Sequence, residues 1–435
     1  MAEKPDRVTL RAYDVGFGDC FLLTFHYSAS QKHLLIDFGS TRKPKDKAVT
    51  GNYMERIAKQ IAVDCNYRLT AVIATHRHKD HISGFDNGGN KGPGEIIRNL
   101  KPEIVLQPWT EDPDAERDAR KPTKKLRGLK LHKSLYVRSL TDMGHYASFI
   151  RTTAKRLRGR HLEAIRSQLD FLGDDNDLKN RDAVVNLMTM GKRPARYLYA
   201  TARSGLESLL PGVKVHVLGP PTLEQEPRIS TQTATQADEF WHLRAGFWAR
   251  RGAMSKRGGK LATPLFAHHV TRPPWDARWY RYRAQKEQAE TLLSIVRTLD
   301  TAMNNTSLIL LFEVGKSCLL FPGDAQWENW RYALSQPKTQ KLLKRVDLYK
   351  VGHHGSLNAT PKSLWKLFET KGPKTRQPRL LSVLSTKNDV HGTAADHTEV
   401  PRQSLVDELT AASTLIDTRA AAADALCVTH EIIVS

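Results

Sequence analysis

The 435-residue sequence predicts an α/β fold built from two strand-rich halves. Three observations carry that reading. Short apolar, β-branched runs alternate with helical patterns over the first 110 residues. Strand-like runs of the same kind return after residue 304. Between them lie long basic stretches without a strand period. The length exceeds one ordinary single-core domain and suits one large domain carrying inserted material, or two domains.

Taken in order, residues 8–14 and 20–25 read as strands joined by the tight turn Val-Gly-Phe-Gly-Asp, where Gly16 and Gly18 supply unusual backbone angles. Residues 33–37 form a third strand ending in Leu-Leu-Ile-Asp-Phe-Gly, and 53–62 a short helix. Residues 69–74 are a β-branched strand that runs into Thr75 and His76; 94–100 are a helix and 104–106 the next strand. Residues 111–195 are basic and mostly helical in character. Residues 196–200 and 213–218 read as a strand pair, stopped by Gly219-Pro220-Pro221. Residues 222–283 show no clear period. An amphipathic helix follows over 285–303, with Leu292, Ile295, Val296 and Leu299 on one face. Strands at 307–313, 317–321 and 347–351, helices at 361–369 and 401–412, and strands at 380–384 and 426–434 make the second half. The chain thus divides into a first half (1–110), a basic insertion (111–195), core strands (196–221), a basic aromatic insertion with its helix (222–303) and a second half (304–435).

Composition narrows the function classes. At 40% hydrophobic and 26% charged, the chain is globular in composition. No apolar run approaches the ~18 residues of a membrane span, and the first ten residues lack a secretory apolar core. A cytoplasmic protein with no membrane partner is expected. Four widely spaced cysteines, with no Cys-x-x-Cys, exclude a zinc ribbon and a disulfide framework, and read as buried thiols. The formal charge is +21, and it is concentrated. Residues 114–160 hold 14 basic and 4 acidic side chains; residues 242–286 hold 11 and 1. The remainder is close to neutral, so the two segments form a footprint for a polyanion.

The most informative segment is Thr-His-Arg-His-Lys-Asp-His at 75–81. It follows an apolar strand, so His76, His78, Asp80 and His81 lie on a loop, from which His76 and His78 can serve one ion while Asp80 and His81 serve a second. Zinc takes imidazole and carboxylate ligands at about 2.0–2.2 Å. Asp324 ends another strand, in Phe-Pro-Gly-Asp, and is placed to bridge two cations. His353 and His354, in Gly-His-His-Gly-Ser, end a third. Together these residues make a two-ion site drawn from both halves. His145, His216, His268 and His269 read as ordinary polar residues.

These motifs resemble the metallo-β-lactamase superfold, a four-layer αββα sandwich with a di-metal site at one edge of its sheets. More narrowly, the chain is similar to the hydrolase domain of ComEC-type competence (DNA-uptake) proteins. That family's Asp-Val-Gly-x-Gly-Asp matches Asp14–Asp19, its Asn-x-x-Ser-Leu matches Asn304–Leu308, and its Gly-Asp matches Gly323-Asp324. Its His-His-Gly-Ser matches His353–Ser356, and a late His-containing turn matches 388–392, with His391. The resemblance covers roughly 1–110, 196–220 and 304–435; the membrane channel of those proteins has no counterpart.

The resemblance implies that His76 and His78 bind one metal, that Asp80 and His81 bind the other, and that Asp324 bridges. One of His353 and His354 completes the second metal, while the other touches the substrate oxyanion; Asp80, His353 and His354 are the expected catalytic group. Asp37 is implied to orient the His loop, with Asp14 and Asp19 as turn or supporting residues. Ser356 and His391 are expected near substrate. Where most of the superfold places a third His for the first metal, this chain has Asn304 and Asn305, so asparagine or water is expected to complete it.

Two cations lower the pKa of a bridging water and clamp an in-line displacement. With N and O ligands, zinc is expected first and manganese second. The chain is therefore read as a di-metal hydrolase whose bridging hydroxide cleaves nucleic-acid phosphodiesters. Arg250, Arg251, Lys256 and Arg257, interleaved with Trp248, Trp275, Trp279, Tyr280 and Tyr282, would hold phosphates and stack bases. The rival expectations are a hydrolase of small lactones, thioesters or cyclic nucleotides, and a nucleic-acid-binding protein with a degenerate site.

Overall fold

The computed structural model describes residues 3–44, 52–115, 120–122, 181–227, 303–356, 360–391, 399–422 and 425–434, with isolated residues within 152–169 and 283–290. The first sheet contains β1 (Arg7–Tyr13), β2 (Cys20–His26), β3 (Gln31–Phe38), β4 (Ala71–Ile73), β5 (Ile104–Pro108) and β6 (Arg196–Leu198). The second contains β7 (Val213–Gly219), β8 (Ile309–Val314), β9 (Ser317–Phe321), β10 (Val346–Lys350), β11 (Leu381–Leu384) and β12 (Thr414–Asp417). The last strand, β13 (Cys427–Ile433), returns to the first sheet beside β1. Strand order is β13-β1-β2-β3-β4-β5-β6 in one sheet and β12-β11-β10-β9-β8-β7 in the other.

Both sheets are mixed. In the first, the hairpin side is antiparallel and β3, β4, β5 and β6 run parallel. In the second, β7-β8-β9 are antiparallel and β9-β10-β11-β12 parallel. Parallel neighbours bring several strand C-termini, and the loops that follow them, to the same end of a sheet.

Alternation along the strands explains why both faces of each sheet are apolar. Phe21, Leu23 and Phe25 of β2 join Leu310 and Phe312 of β8 and Phe321 of β9 in one core shared by the two sheets. The Phe21 and Phe321 rings meet edge-on at 6.0 Å. The opposite residues of β2, Cys20 and Leu22, pack with Ile57 and Ile61 of α1 (Tyr53–Asp64) and Ile97 of α3 (Pro93–Asn99). On the second sheet, Ile309 and Leu311 pack with Trp330 of α5 (Trp327–Ser335), Leu343 of α6 (Pro337–Lys344) and Leu364 of α7 (Lys362–Leu367). Two short helices complete the set used below: α2 (Lys79–Ile82) and α4 (Arg181–Thr189); α8 spans Gln403–Ala412. Each buried Leu, Ile or Phe side chain contributes roughly 1.5–3 kcal/mol of transfer free energy.

The expected elements of the first 110 residues are all present, within a few residues. Three expectations need correction. The segments expected as a strand pair do not pair: β6 lies on β5 in the first sheet and β7 on β8 in the second. The final strand does not close the second half; it pairs with β1. Helices α5 and α6 were not anticipated between β9 and β10. The helix expected over 285–303 lies almost wholly outside the described residues, as do Arg250, Arg251, Lys256, Arg257 and the aromatic residues beside them. Cys20, Cys65 and Cys318 are buried free thiols, and Cys427 is partly exposed. Among the described residues no helix is long and apolar enough to cross a membrane.

His33, on β3, is 3% exposed and bonded through Nδ1 to Thr24 Oγ1 at 3.0 Å. Burial, aided by the nearby His26 and Arg11 charges, holds its pKa down at about 4. An unfolded chain titrates this imidazole near 6.5. Between those values the unfolded state binds the extra proton, so the stability that neutral His33 allows is complete above pH 6.5 and is lost as pH falls towards 4. His33→Gln should therefore flatten the pH profile. Urea denaturation at pH 7 and pH 5 should show the wild type losing on the order of 1–2 kcal/mol more than the variant. Parallel profiles would remove His33 as a contributor.

Candidate metal centre

The centre is assembled where β3, β4, β9, β10 and β11 end. Asp37, at the end of β3, has left-handed backbone (φ 55°). Its Oδ1 accepts from the Thr75 backbone N at 2.7 Å, and its Oδ2 accepts from Thr75 Oγ1 at 2.7 Å and faces His81 Nδ1 at 2.8 Å. One carboxylate thereby fixes the start of the loop after β4 and one imidazole within α2. Two glycines permit the approach. A Cβ on Gly39 would stand 2.4 Å from the His81 backbone N, and one on Gly18 would stand 2.7 Å from the Asp80 carbonyl. That carbonyl accepts from the Asp19 N–H at 2.9 Å. The Gly-Phe-Gly-Asp turn is therefore a cradle for α2 as well as a hairpin connection.

The second sheet supplies the facing groups. Asp324 Oδ1 accepts from the His353 backbone N at 3.1 Å, while Oδ2 lies 3.0 Å from His81 Nε2 and 3.7 Å from His354 Nε2. After β10 the chain makes three successive left-handed residues, His353 (φ 40°), His354 (52°) and Gly355 (83°). Two of them carry side chains, a conformation that costs of order 1–3 kcal/mol at each non-glycine position. The turn aims the two imidazoles differently. His354 is fully buried, with Nδ1 3.0 Å from the Ser385 carbonyl and Nε2 2.8 Å from Asp80 Oδ2. The His353 side chain is 26% exposed, with Nδ1 bonded to Ser356 Oγ at 2.8 Å and Nε2 4.0 Å from Asp324 Oδ2.

Asp80, His81, Asp324 and His354 thus gather four buried ligand atoms within 4.8 Å of one another. Their nearest separations run from 2.8 to 3.9 Å. Tetrahedral ligands 2.0–2.2 Å from zinc stand about 3.4 Å apart, so the set suits a small divalent cation. The outer acceptors matter as much. Asp37 and the Ser385 carbonyl each take an Nδ1–H, which turns an Nε2 lone pair inward on both imidazoles. Among the described residues, Asp80 Oδ1, His81 Nε2 and Asp324 Oδ2 are buried without an aligned hydrogen bond, the last two only facing each other at 3.0 Å. Buried polar atoms in that state call for an ion or water.

Charge points the same way. Asp19, Asp37, Asp80 and Asp324 are all buried, and Lys350 is the lysine buried among them. Burial alone would lower the His81 pKa, but Asp324, Asp80 and Asp37 hold it well above the ordinary value. His354 is raised likewise, against burial, by Asp324 and Asp19. Burial, with His81 and His78 beside it, keeps His76 well below 6.5; burial holds His78 and His353 down at about 4.

The remaining expected residues divide. His76 and His78 are buried beside the cluster, their rings 4.7 Å apart and Nε2 of the first 3.0 Å from Nδ1 of the second. They do not enter the four-atom set. Asn304 and Asn305 are fully buried, and the Asn305 amide donates to Glu328 at 2.9 Å. Asp14 belongs to the turn: its carboxylate accepts from the Gly16 N–H at 3.1 Å. Asp19 is the member of that motif that reaches the cluster, 3.6 Å from Nδ1 of both His81 and His354. Ser356 orients His353, and His391 bridges in backbone to Val400. His216 faces Glu313 as an ordinary strand residue. Sequence reasoning missed Lys350, the Ser385 carbonyl, and Phe17, whose ring lies 4.5 Å from that of His354. A lysine inside the apolar run Val-Asp-Leu-Tyr-Lys-Val was the available signal for the first.

The chain matches no protein-family model, and no curated protein matches it.

The geometry separates two adjacent histidines. His354→Ala should sharply reduce bound zinc or manganese, whereas His353→Ala should retain it. Elemental analysis after reconstitution, with circular dichroism to confirm folding, decides the matter. Equal metal content in the two variants would show the inner and outer assignments to be wrong.

Proposed function

We propose that the chain is a metal-dependent hydrolase of the metallo-β-lactamase fold that cleaves phosphodiester bonds in nucleic acid. The observation that carries this reading is the convergence of Asp80, His81, Asp324 and His354 at strand ends of both sheets. Two sheets sharing one core, with helices packed on their outer faces, agree with the four-layer αββα arrangement. The motif resemblance supplies the family, and the two basic segments supply the substrate preference.

The cations such a centre takes contribute Lewis acidity and a water of lowered pKa. The chain's own groups do the rest. Asp80, His81, Asp324 and His354 hold the inner position. His76 and His78 would offer two imidazoles to a second position, with Asn304 and Asn305 where the resemblance places a third His, which would make that position the weaker. His353, mostly neutral and at the mouth, has its ring set by Ser356 and donates a hydrogen bond to a phosphate oxygen or the leaving group.

The direct test is a panel of labelled single- and double-stranded DNA and RNA with zinc or manganese. Cleavage of at least one polymer is expected, and Asp324→Ala should abolish it without unfolding the protein. Hydrolysis of small esters with every polymer intact would transfer the reading to a small-molecule hydrolase.

A second expectation concerns the basic segments. Affinity for a single strand should fall with salt at a log–log slope of about −0.7 per phosphate contact. Replacing Arg250, Arg251, Lys256 and Arg257 with Ala should flatten that slope. It should also raise KM for long substrates more than for a small chromogenic diester. Equal losses on both substrates would detach these residues from nucleic-acid docking.

A further inference from the structure

Lys350 ends β10 and is 1% exposed. Among the described residues no other lysine is buried. Its Nζ forms a short ion pair with Asp19 Oδ2, donates to the Gly323 carbonyl at 3.2 Å, and lies 3.5 Å from Asp324 Oδ1. Phe21 covers it, with the ring centroid 6.0 Å from Nζ. The ammonium therefore touches the outer carboxylate Asp19 and the inner carboxylate Asp324 at once.

Three facts make this more than packing. First, Lys350 and the His353 N–H both engage Oδ1 of Asp324, which leaves Oδ2 for the imidazoles His81 and His354. Second, Asp19 stands behind both of those imidazoles, at 3.6 Å from each Nδ1. Third, four carboxylates share this dry volume, and without a fixed cation they would repel one another strongly in a medium of low dielectric.

We propose that Lys350 is a resident counter-ion of the metal centre: it holds Asp324 in its ligand-ready position and Asp19 behind the two imidazoles in the metal-free protein, and its charge would oppose that of a bound metal ion. This rests on the metal-binding reading of the cluster and on no assumption about substrate. Lys350 is a positioning residue under this assignment. The centre is preformed in the metal-free protein, and the lysine's charge sets how tightly a divalent ion is held.

The consequence runs opposite to that of ordinary damage. Removing a buried structural group usually weakens ligand binding. Removing a positive charge that contacts a ligand carboxylate should strengthen the binding of a dication there, by about tenfold or more. In Lys350→Met the metal-free protein should melt well below the wild type, and saturating zinc should recover much of the loss. The metal-induced rise in melting temperature should exceed that of the wild type, because ligand stabilisation grows with the logarithm of the affinity for the native state. The double variant Lys350→Met/Asp19→Asn removes the pair together. Its metal-free melting temperature should lie above that of the single variant, since the Asp19 charge is no longer left buried without its ammonium partner.

The experiment is a set of thermal melts of wild type, single and double variants, in chelator and in zinc, with a zinc titration of each against a competing chromophoric chelator. Tighter zinc binding in Lys350→Met, with rescue in the double variant, supports the assignment. Equal losses in chelator and zinc, or weaker zinc binding, overturn it and leave Lys350 a packing residue. Should the single variant fail to fold in either condition, a double variant that also fails overturns it, and one that folds supports it. A wild type that binds no zinc instead overturns the metal reading itself, and this inference with it.

Discussion

Four carboxylates buried at one end of two sheets constrain everything around them. Asp19, Asp37, Asp80 and Asp324 are each 3% exposed or less, and burying a carboxylate without compensation is prohibitive. The surrounding architecture answers that one problem. Lys350 neutralises part of the charge, the Thr75 and His353 N–H groups offset a further share by donating hydrogen bonds to Asp37 and Asp324, and His81 and His354 face what remains. The uncompensated part is what suits the cluster to a cation.

The backbone bends to meet that requirement. Asp37, His353 and His354 sit in left-handed conformations that side chains disfavour, and each lies in or beside the cluster. The rest of the loop architecture serves close approach. Gly18 and Gly39 let the first hairpin press against α2, and Gly323, also left-handed, would drive a Cβ to 2.7 Å from Thr75. The two sheets are thus joined at the site by direct contact between their loops: the Leu308 N–H donates to the Thr75 carbonyl, and Ser385 Oγ donates to the Gly18 carbonyl at 2.6 Å. The turn after β10 is held by its own bonds: His354 Nδ1 to the Ser385 carbonyl, and the Arg402 N–H to the Gly355 carbonyl.

The inner and outer halves of the cluster are unequal. The inner set has two carboxylates, two imidazoles and fixed outer acceptors for both rings. On the other side, His76 and His78 lean on each other, and the buried asparagines contribute no third imidazole. The buried ligand atoms are therefore concentrated in one position. Beside that set the His353 side chain is a quarter exposed, whereas those of Asp80, His81, Asp324 and His354 are buried.

Much of this was legible in the sequence, for a physical reason. Elements of the first 110 residues follow from local alternation and from Gly16 and Gly18, and the candidate ligands follow from residue type, since His and Asp clustered after apolar strands are the side chains that metal ions take. Asp80, His81, Asp324 and one of the paired histidines were named on that basis. What only the tertiary structure decided concerns relations across the chain. Local pattern cannot say that 427–433 pairs with β1, or that β6 and β7 belong to different sheets, because strand pairing is a contact between distant residues. It cannot say which of His353 and His354 turns inward, because a left-handed turn and the Ser385 carbonyl, about thirty residues on, set the ring. Nor can it assign Lys350, whose charge acquires meaning only when Asp19, from the other end of the chain, is folded against it.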